Sequence, residues 1–539
     1  MTVSTCAYPV LNCSAASDLE AKLLPDESAQ WGAMQGAGKG IAEAVLLDFE
    51  ELCSPRQQLR VLALVGKGHN GGDALLACGQ ILADYPRARV SVVMLAAPEA
   101  MKPLALRAYK QVEGRVQLHV LDGAESEDAI KGLLEQMSDG RGFDLCLDGL
   151  LGMSFKAPLR ENAAKLIRAV NAYDAIDLRA AVDLPSGKGD ASDDCFFLAD
   201  FCYATGVAKH VIFSGMADCG RVRLVDIGFF ECKCGQLEPC DCASGTDEFI
   251  LNEALLAPLR RLRSASVDKR SFGHLFVVGG SAYMPGALLM SVQAAVRSGV
   301  GLVTAFAPAS IAASLSAQVP EAMWVPWPET ANGTLNPRAL PLLLDRVDRA
   351  TAILVGPGMG KDRSTEMVAQ EIVKLVDVPV ILDADALRTR VVEQVVKRKS
   401  SMGPVVLTPH MGEYMRTAKL ADPDYSTATL KQFCRSYKLI TVLKGPITRI
   451  SDGESVLFNT HGGPVLSRGG SGDLLGGLIG GNLAQTNKSV LDAVSRGVLM
   501  HGLAAERLAR LRGQVAVHTT QVLDCLPEVL RQSSRRCCK

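Results

Sequence analysis

The chain lacks a surplus of either charge, and this excludes the broadest class of partners. Lys and Arg total 57 against 58 for Asp and Glu, so no net field draws the protein to nucleic acid or to an anionic membrane. Neither is expected as a partner, which leaves small molecules. It also lacks any uninterrupted apolar run near the ~20 residues that a membrane span requires. Between Met1 and Ala21 there is no basic stretch leading into an apolar core, so no secretory signal is expected there and the expected compartment is the cytoplasm. In that compartment the sixteen cysteines are expected to be mostly reduced, small hydrophobes rather than a disulfide framework. What the chain has in quantity is length. Its 539 residues exceed one ordinary core, and ~150 residues per domain implies three or four domains, or two large α/β ones.

The most informative stretch is Arg468-Gly469-Gly470-Ser471-Gly472-Asp473, which runs into the apolar segment Leu474 to Gly481. A glycine-rich loop feeding a helix presents unpaired backbone N–H groups at the positive end of the helix dipole, a ready site for phosphate oxygens. Asp473 would stand beside those phosphates, where a carboxylate accepts a proton from an attacking hydroxyl during phosphoryl transfer. Four glycines within the following helix cost roughly 1 kcal/mol each relative to alanine, so close packing against a neighbour or ligand is expected to offset them.

In chain order, residues 18 to 50 show helical spacing, with Gly36, Gly38 and Gly40 on a potential close-contact face. The run Arg60 to Val65 reads as a buried parallel strand and leads into Gly66-Lys67-Gly68-His69-Asn70-Gly71-Gly72-Asp73, read as a loop before a helix over 74 to 82. No Gly-Lys-Ser/Thr follows, so this is not a P-loop, and Gly66, Gly68 and Gly71 satisfy the dinucleotide fingerprint by count only. Strands are predicted at 90 to 95, 117 to 121, 143 to 147 and 179 to 182. The last two end in Asp148-Gly149-Leu150-Leu151-Gly152-Met153-Ser154-Phe155-Lys156 and in Asp183-Leu184-Pro185-Ser186-Gly187. Loops at the carboxyl ends of parallel strands converge on one crevice, where Asn70, Asp148, Lys156, Asp183 and Ser186 can meet.

These three motifs resemble the NAD(P)HX epimerases, which act on hydrated nicotinamide cofactors. The resemblance implies a potassium ion on Asn70, Asp148 and Ser186, whose amide, carboxylate and hydroxyl oxygens suit a hard cation. It places the hydrated cofactor against His69, Asn70, Gly71, Gly72 and Asp73 and against Gly152, Met153, Ser154, Phe155 and Lys156. It makes Lys156 and Asp183 the proton-handling pair, because epimerisation needs an acid and a base while the ring C–O bond opens and re-forms. His69 and Ala74 depart from the family's usual Asn and Gly, and Lys188 from its usual Trp. His69 is then either a tolerated ligand contact or a sign of lost epimerase activity.

Around Gly228 to Asp247 the composition changes, with Cys232, Cys234, Cys240 and Cys242 in C-x-C-x5-C-x-C. This is either a zinc site of unusual spacing or a cysteine-rich linker with redox-labile thiols; Cys537 and Cys538 are read as exposed tail residues. From Glu248 onward strand, glycine loop and helix repeat, at 274 to 281, 302 to 307, 353 to 360, 380 to 387, 405 to 413 and 441 to 446. That repeat implies a mostly parallel sheet covered on both faces.

Those motifs in that order, closing with the stretch at Asp473 and His501-Gly502-Leu503-Ala504, resemble the ribokinase-like NAD(P)HX dehydratases. Together the halves imply an α/β chain of two domains. One is an N-terminal Rossmann-like three-layer sandwich over 1–228 and the other a C-terminal ribokinase-like three-layer sandwich over 248–539, with a linker at 229–247. The resemblance implies that Lys444, Gly445, Pro446, Ile447, Thr448 and Gly472 contact ADP or ATP. It implies that Gly286, Ala287, Gly358 and His410 contact the hydrate and that Asp473 is the base; the phosphates imply Mg²⁺. The substrates would be NADHX and NADPHX. Phosphorylating the hydrate hydroxyl makes a leaving group that the ring nitrogen lone pair can expel. One alternative is a kinase that stops at a stable phosphorylated product, and another is a first half that only binds ligand or oligomerises. Glycine-rich and apolar faces point to a homo-oligomer.

Overall fold

The computed structural model describes residues 7–53, 58–214, 218–230, 245–485 and 489–531. The cysteine cluster at 232–242 and the pair Cys537 and Cys538 lie outside the described residues. The chain divides into two compact units, Tyr8–Thr246 and Asp247–Lys539.

In the first unit the strands are β1 (Ala7–Leu11), β2 (Arg60–Val65), β3 (Arg89–Met94), β4 (Gln117–Val120), β5 (Phe143–Gly149), β6 (Ile176–Val182), β7 (Phe201–Thr205), β8 (Ala208–Lys209) and β9 (Arg221–Val225). Seven of them form one parallel sheet in the order β4-β3-β2-β5-β6-β7-β9, and β8 pairs in parallel with β1. Near-continuous burial along β2, β3 and β5 follows from covering a parallel sheet on both faces. One face packs Val61, Ala63 and Val65 against the Glu27–Phe49, His69–Asp84 and Pro103–Val112 helices through Ile41, Leu75, Ile81 and Leu104. Residues of opposite parity such as Leu62, Leu64 and Cys146 are equally buried, giving the three layers of a Rossmann-like sandwich. Strand order reverses between β2 and β5, the switch point where such sheets form a crevice.

In the second unit the strands are β10 (Glu248–Leu251), β11 (His274–Val278), β12 (Leu302–Pro308), β13 (Met323–Trp327), β14 (Ala352–Val355), β15 (Val380–Leu382), β16 (Val405–Leu407), β17 (Ile440–Leu443), β18 (Thr448–Ser451) and β19 (Val456–Asn459). Their order is β13-β12-β11-β14-β15-β16-β17-β18-β19-β10. All neighbours are parallel except β17–β18 and β18–β19. The turn from Lys444 to Ile447 is too short for a parallel crossover, which dictates the antiparallel hairpin. The Ser471–Ala484 helix is buried over nearly its whole length. A methyl group on Gly477 would lie 2.2 Å from the Ser291 carbonyl oxygen, and one on Gly481 would lie 1.8 Å from the Ser298 hydroxyl. The glycines therefore let this helix pack at backbone distance against the Pro285–Arg297 helix, offsetting their conformational cost. Gly38 and Gly40 likewise face Leu76 and Val225 of their own unit, so these glycine faces are used internally.

Candidate active sites

In the first unit the turn after β2 and the helix after it make the floor of a crevice. The sequence reading put His69 to Asp73 in a loop. Instead the helix starts at His69 with Gly68 as its N-cap, so these residues form its first turns. The reason is close approach: a Cβ on Gly71 would sit 2.0 Å from the Gly66 carbonyl oxygen, and only glycine lets the helix begin there. Asn70 donates from Nδ2 to the Leu151 carbonyl at 2.7 Å, and a Cβ on Gly152 would meet Asn70 at 3.2 Å, so the two predicted loops touch. Asp148, at the end of β5, is fully buried. It accepts hydrogen bonds from the Ser186 backbone N–H and hydroxyl, each at 2.7 Å. Burial pushes its carboxyl up to about 6, against the opposing pull of the Ser186 hydrogen bonds. Asn70, Asp148 and Ser186 are thus brought together around Leu151, three of the five residues expected to meet at the strand ends.

Asp183 follows β6 in the left-handed region, at φ 65, a conformation a buried non-glycine residue keeps only when its surroundings hold it. Its Oδ1 accepts hydrogen bonds from the Thr205 backbone N–H at 3.2 Å, the Thr205 hydroxyl at 3.1 Å and the Lys209 ammonium at 2.5 Å. Lys209 is wholly buried and was missed by sequence reading; its two-residue strand carries no motif. Lys156 is exposed and lines a cavity of about 340 Å³ with Lys67, Ser154, Phe155 and Arg160, a lining that does not include Asp183. Met153 packs instead on the apolar cluster of Ala16, Leu19 and Val207. The departures from family pattern are accommodated: Ala74 is fully buried where a Cβ on Gly149 would meet its methyl at 2.5 Å, and Lys188 lies 3.6 Å from the Phe196 ring centroid. His69 is exposed at the helix start.

In the second unit the candidate residues converge at the carboxyl ends of the parallel strands. Gly470, in the left-handed region at φ 88, caps the helix that begins at Ser471, so Gly472 and Asp473 lie in its first turn. The Ser291 hydroxyl donates to the Asp473 carbonyl at 2.9 Å, tying this turn to the helix that starts with Pro285, Gly286 and Ala287. Gly358, at φ 62, faces Met284 and Ala287, while Gly286 is exposed and open. Burial first, then the Asp383 carboxylate, push the Asp473 carboxyl up to about 7, against the pull of Lys444. Asp383, 1% exposed, accepts from the Thr408 hydroxyl at 2.6 Å and lies 3.5 Å from the Lys444 ammonium. Its second oxygen is buried without a hydrogen bond. A Cβ on Gly472 would lie 3.3 Å from that same ammonium. Buried His501 stands 3.5 Å from the Ser471 hydroxyl, and burial, with Lys444, lowers its imidazole to about 4. The His410 backbone pairs beside Lys444. Its ring caps the Met411–Ala418 helix, Nδ1 accepting from Gly412 N–H at 3.0 Å, and most of the ring stays exposed. Gly445, Pro446 and Ile447 form the β17–β18 turn, and Thr448 opens β18. Asp383 was visible in the sequence as a strand-end acid, but its pairing with Lys444 was not.

Two doubly covered α/β units, one with an oxygen-lined crevice and one with a glycine-capped acidic turn, define a two-site α/β enzyme class. Residues 32–211 match the family model described as YjeF-related protein N-terminus, and residues 275–528 match the one described as NAD(P)H-hydrate dehydratase. The bifunctional NAD(P)H-hydrate repair enzyme Nnr of Moorella thermoacetica is 32% identical over 513 residues, 92% of each chain. That of Gloeobacter violaceus is 32% identical over 535 residues, 97% of this chain and 98% of its own. Among solved structures, an ADP/ATP-dependent NAD(P)H-hydrate dehydratase from Bacillus subtilis, co-crystallised with ATP and Mg²⁺, is 27% identical. It covers 52% of this chain and 96% of its own, at a TM-score of 0.45. The chain belongs to the bifunctional NAD(P)H-hydrate repair enzyme family.

Proposed function

We propose that the first unit interconverts the R and S epimers of NADHX and NADPHX, and that the second dehydrates the S epimer to NAD(P)H with ADP or ATP as phosphoryl donor. The placement of Asp473 carries the reading of the second unit: a carboxylate near neutrality, in the first turn of a glycine-capped helix, opposite a lysine ammonium. A base works best when its pKa lies near the working pH. The hydrate's hydroxyl oxygen attacks the terminal phosphorus of the nucleotide while Asp473 takes the hydroxyl proton. The backbone N–H groups from Gly469 to Gly472 and the Lys444 ammonium stabilise charge on the transferring group. The ring nitrogen lone pair then expels inorganic phosphate to leave a cyclic iminium ion, and loss of a proton from the adjacent ring carbon to water or the departing phosphate restores the dihydropyridine. Gly286, Ala287, Gly358 and His410 would hold the hydrate, and Lys444 to Thr448 with Gly472 the nucleotide, whose phosphates would carry Mg²⁺.

In the first unit Asp183 would move the proton as the ring C–O bond opens and re-forms on the other face. The Asp148 carboxylate and the Ser186 hydroxyl are hydrogen-bonded together, and with the Asn70 amide oxygen they would supply an all-oxygen set with one formal charge, which suits a hard monovalent cation such as K⁺. When bound, it would offset the charge of the substrate phosphates. The deciding experiment supplies S-hydrate with ADP or ATP separately and follows reduced-nicotinamide absorbance and inorganic phosphate. Equal yields of both are expected; a stable phosphorylated product would overturn the reading in favour of a kinase.

A further inference from the structure

Among the described residues, the hydrogen bonds to the Asp183 carboxylate fall on Oδ1, from the Thr205 N–H, the Thr205 hydroxyl and the Lys209 ammonium, so Oδ2 is the oxygen left for a proton in transit. The cation that does this holding is unusual, because an ammonium with no exposed surface needs full compensation. Lys209 gains it from Asp183, from the Thr205 carbonyl at 3.2 Å and from Glu20 at 3.9 Å. The fold arranges this: β8 pairs with β1 so that Lys209 stands across from Leu11, and the helix beginning at Cys13 lays Glu20 over the ammonium. Lys156, by contrast, is an exposed side chain in a cavity whose other cations are Lys67 and Arg160.

We infer that Lys209 is a positioning residue of the epimerase. Its ammonium holds the Asp183 carboxylate in the orientation that moves the substrate's hydroxyl proton, while Lys156, with Lys67 and Arg160, binds the substrate's phosphates. The inference rests on the epimerase reading of this unit. The surrounding electrostatics agree. Burial alone would lower the Lys209 ammonium, but Asp183 and Glu20 outweigh it and its pKa is raised. Burial, against the pull of Lys209, pushes Glu20 up to about 7, and burial with Asp183 and Glu20 raises Asp73. The charged and titratable groups facing the pair are therefore Glu20 and Cys13 on the Cys13–Leu23 helix, Asp73 on the His69–Asp84 helix and Cys202 on β7, with Asp148 on β5 beyond Cys202.

The test uses the full chain in an Asp473→Asn background, so that S-hydrate is not consumed, and follows R to S exchange by chromatography from pH 5 to pH 9. Lys209→Met removes the cation that pairs with Asp183. Its exchange should fall at least tenfold at neutral pH and recover as pH rises, the acid limb having moved to higher pH. Glu20→Gln removes a competitor for the ammonium and should move the same limb to lower pH. Lys156→Met should raise KM about tenfold and leave the limb in place. Opposite shifts from Lys209→Met and Glu20→Gln are not expected of side chains that serve packing alone. Should Lys209→Met fail to fold, Glu20→Gln carries the test, and an unmoved limb there overturns the inference, as does a limb moved by Lys156→Met. If the background chain exchanges no epimers at all, it is the epimerase reading itself that fails.

Discussion

Replacing Asp473 with Asn should move activity and stability in opposite directions. The carboxyl stands at about 7 rather than 3.8, and a difference of about 3 units at 1.36 kcal/mol each corresponds to about 4 kcal/mol of strain in the ionised form. Because this acid is raised in the folded state, the cost is absent below pH 4, where folded and unfolded chains both hold the proton. It grows as pH climbs from about 4 to about 7 and is constant above that. Asn keeps the shape without the charge. The variant should therefore match the parent at pH 4 and gain up to about 4 kcal/mol at pH 8, read from urea unfolding of the second unit by tryptophan fluorescence. Loss of a general base should lower turnover of S-hydrate by about 10² to 10⁴, read from the absorbance of the regenerated dinucleotide. Full turnover in the variant would place the proton acceptor elsewhere. A variant less stable than the parent at pH 8 would refute the argument that burial beside Asp383 strains this carboxylate.

Gly477→Val should destabilise the second unit by about 3 kcal/mol or more, since its side chain would drive into the Ser291 carbonyl; a thermal midpoint within a degree of the parent would contradict this. His410→Asn retains a good helix cap while removing the imidazole, so stability should change by less than about 0.5 kcal/mol while KM for the hydrate rises. An unchanged KM removes His410 from the substrate site. Epimerisation should run faster in potassium than in tetramethylammonium chloride, and Asp148→Asn should abolish the difference; a salt effect that survives the substitution would move the cation site elsewhere.

Strands were legible where a continuous apolar run meets a glycine or an acid. Arg60–Val65 has the predicted limits, and Val405–Leu407 opens the repeat expected at 405 to 413, because a strand buried on both faces must be apolar throughout. Thr448–Ser451 and Val456–Asn459 were missed; each is four residues long and mixes polar with apolar side chains. The glycine run before Asp73 read as a loop because glycine disfavours helix, yet the helix begins at His69 so that its first turn can touch the Gly66 turn.

Local chemistry along the chain was enough to determine the two doubly covered α/β halves and the glycine-rich turn at Asp473, because each is written in contiguous residues at strand ends. Only the tertiary structure decided which charges meet. Lys209 reaches Asp183 across 26 positions and Lys444 reaches Asp383 across 61. In both cases the turn after a strand carries a residue to a buried ion pair, and burial makes that pairing matter, since a charge without water must find its partner within the fold.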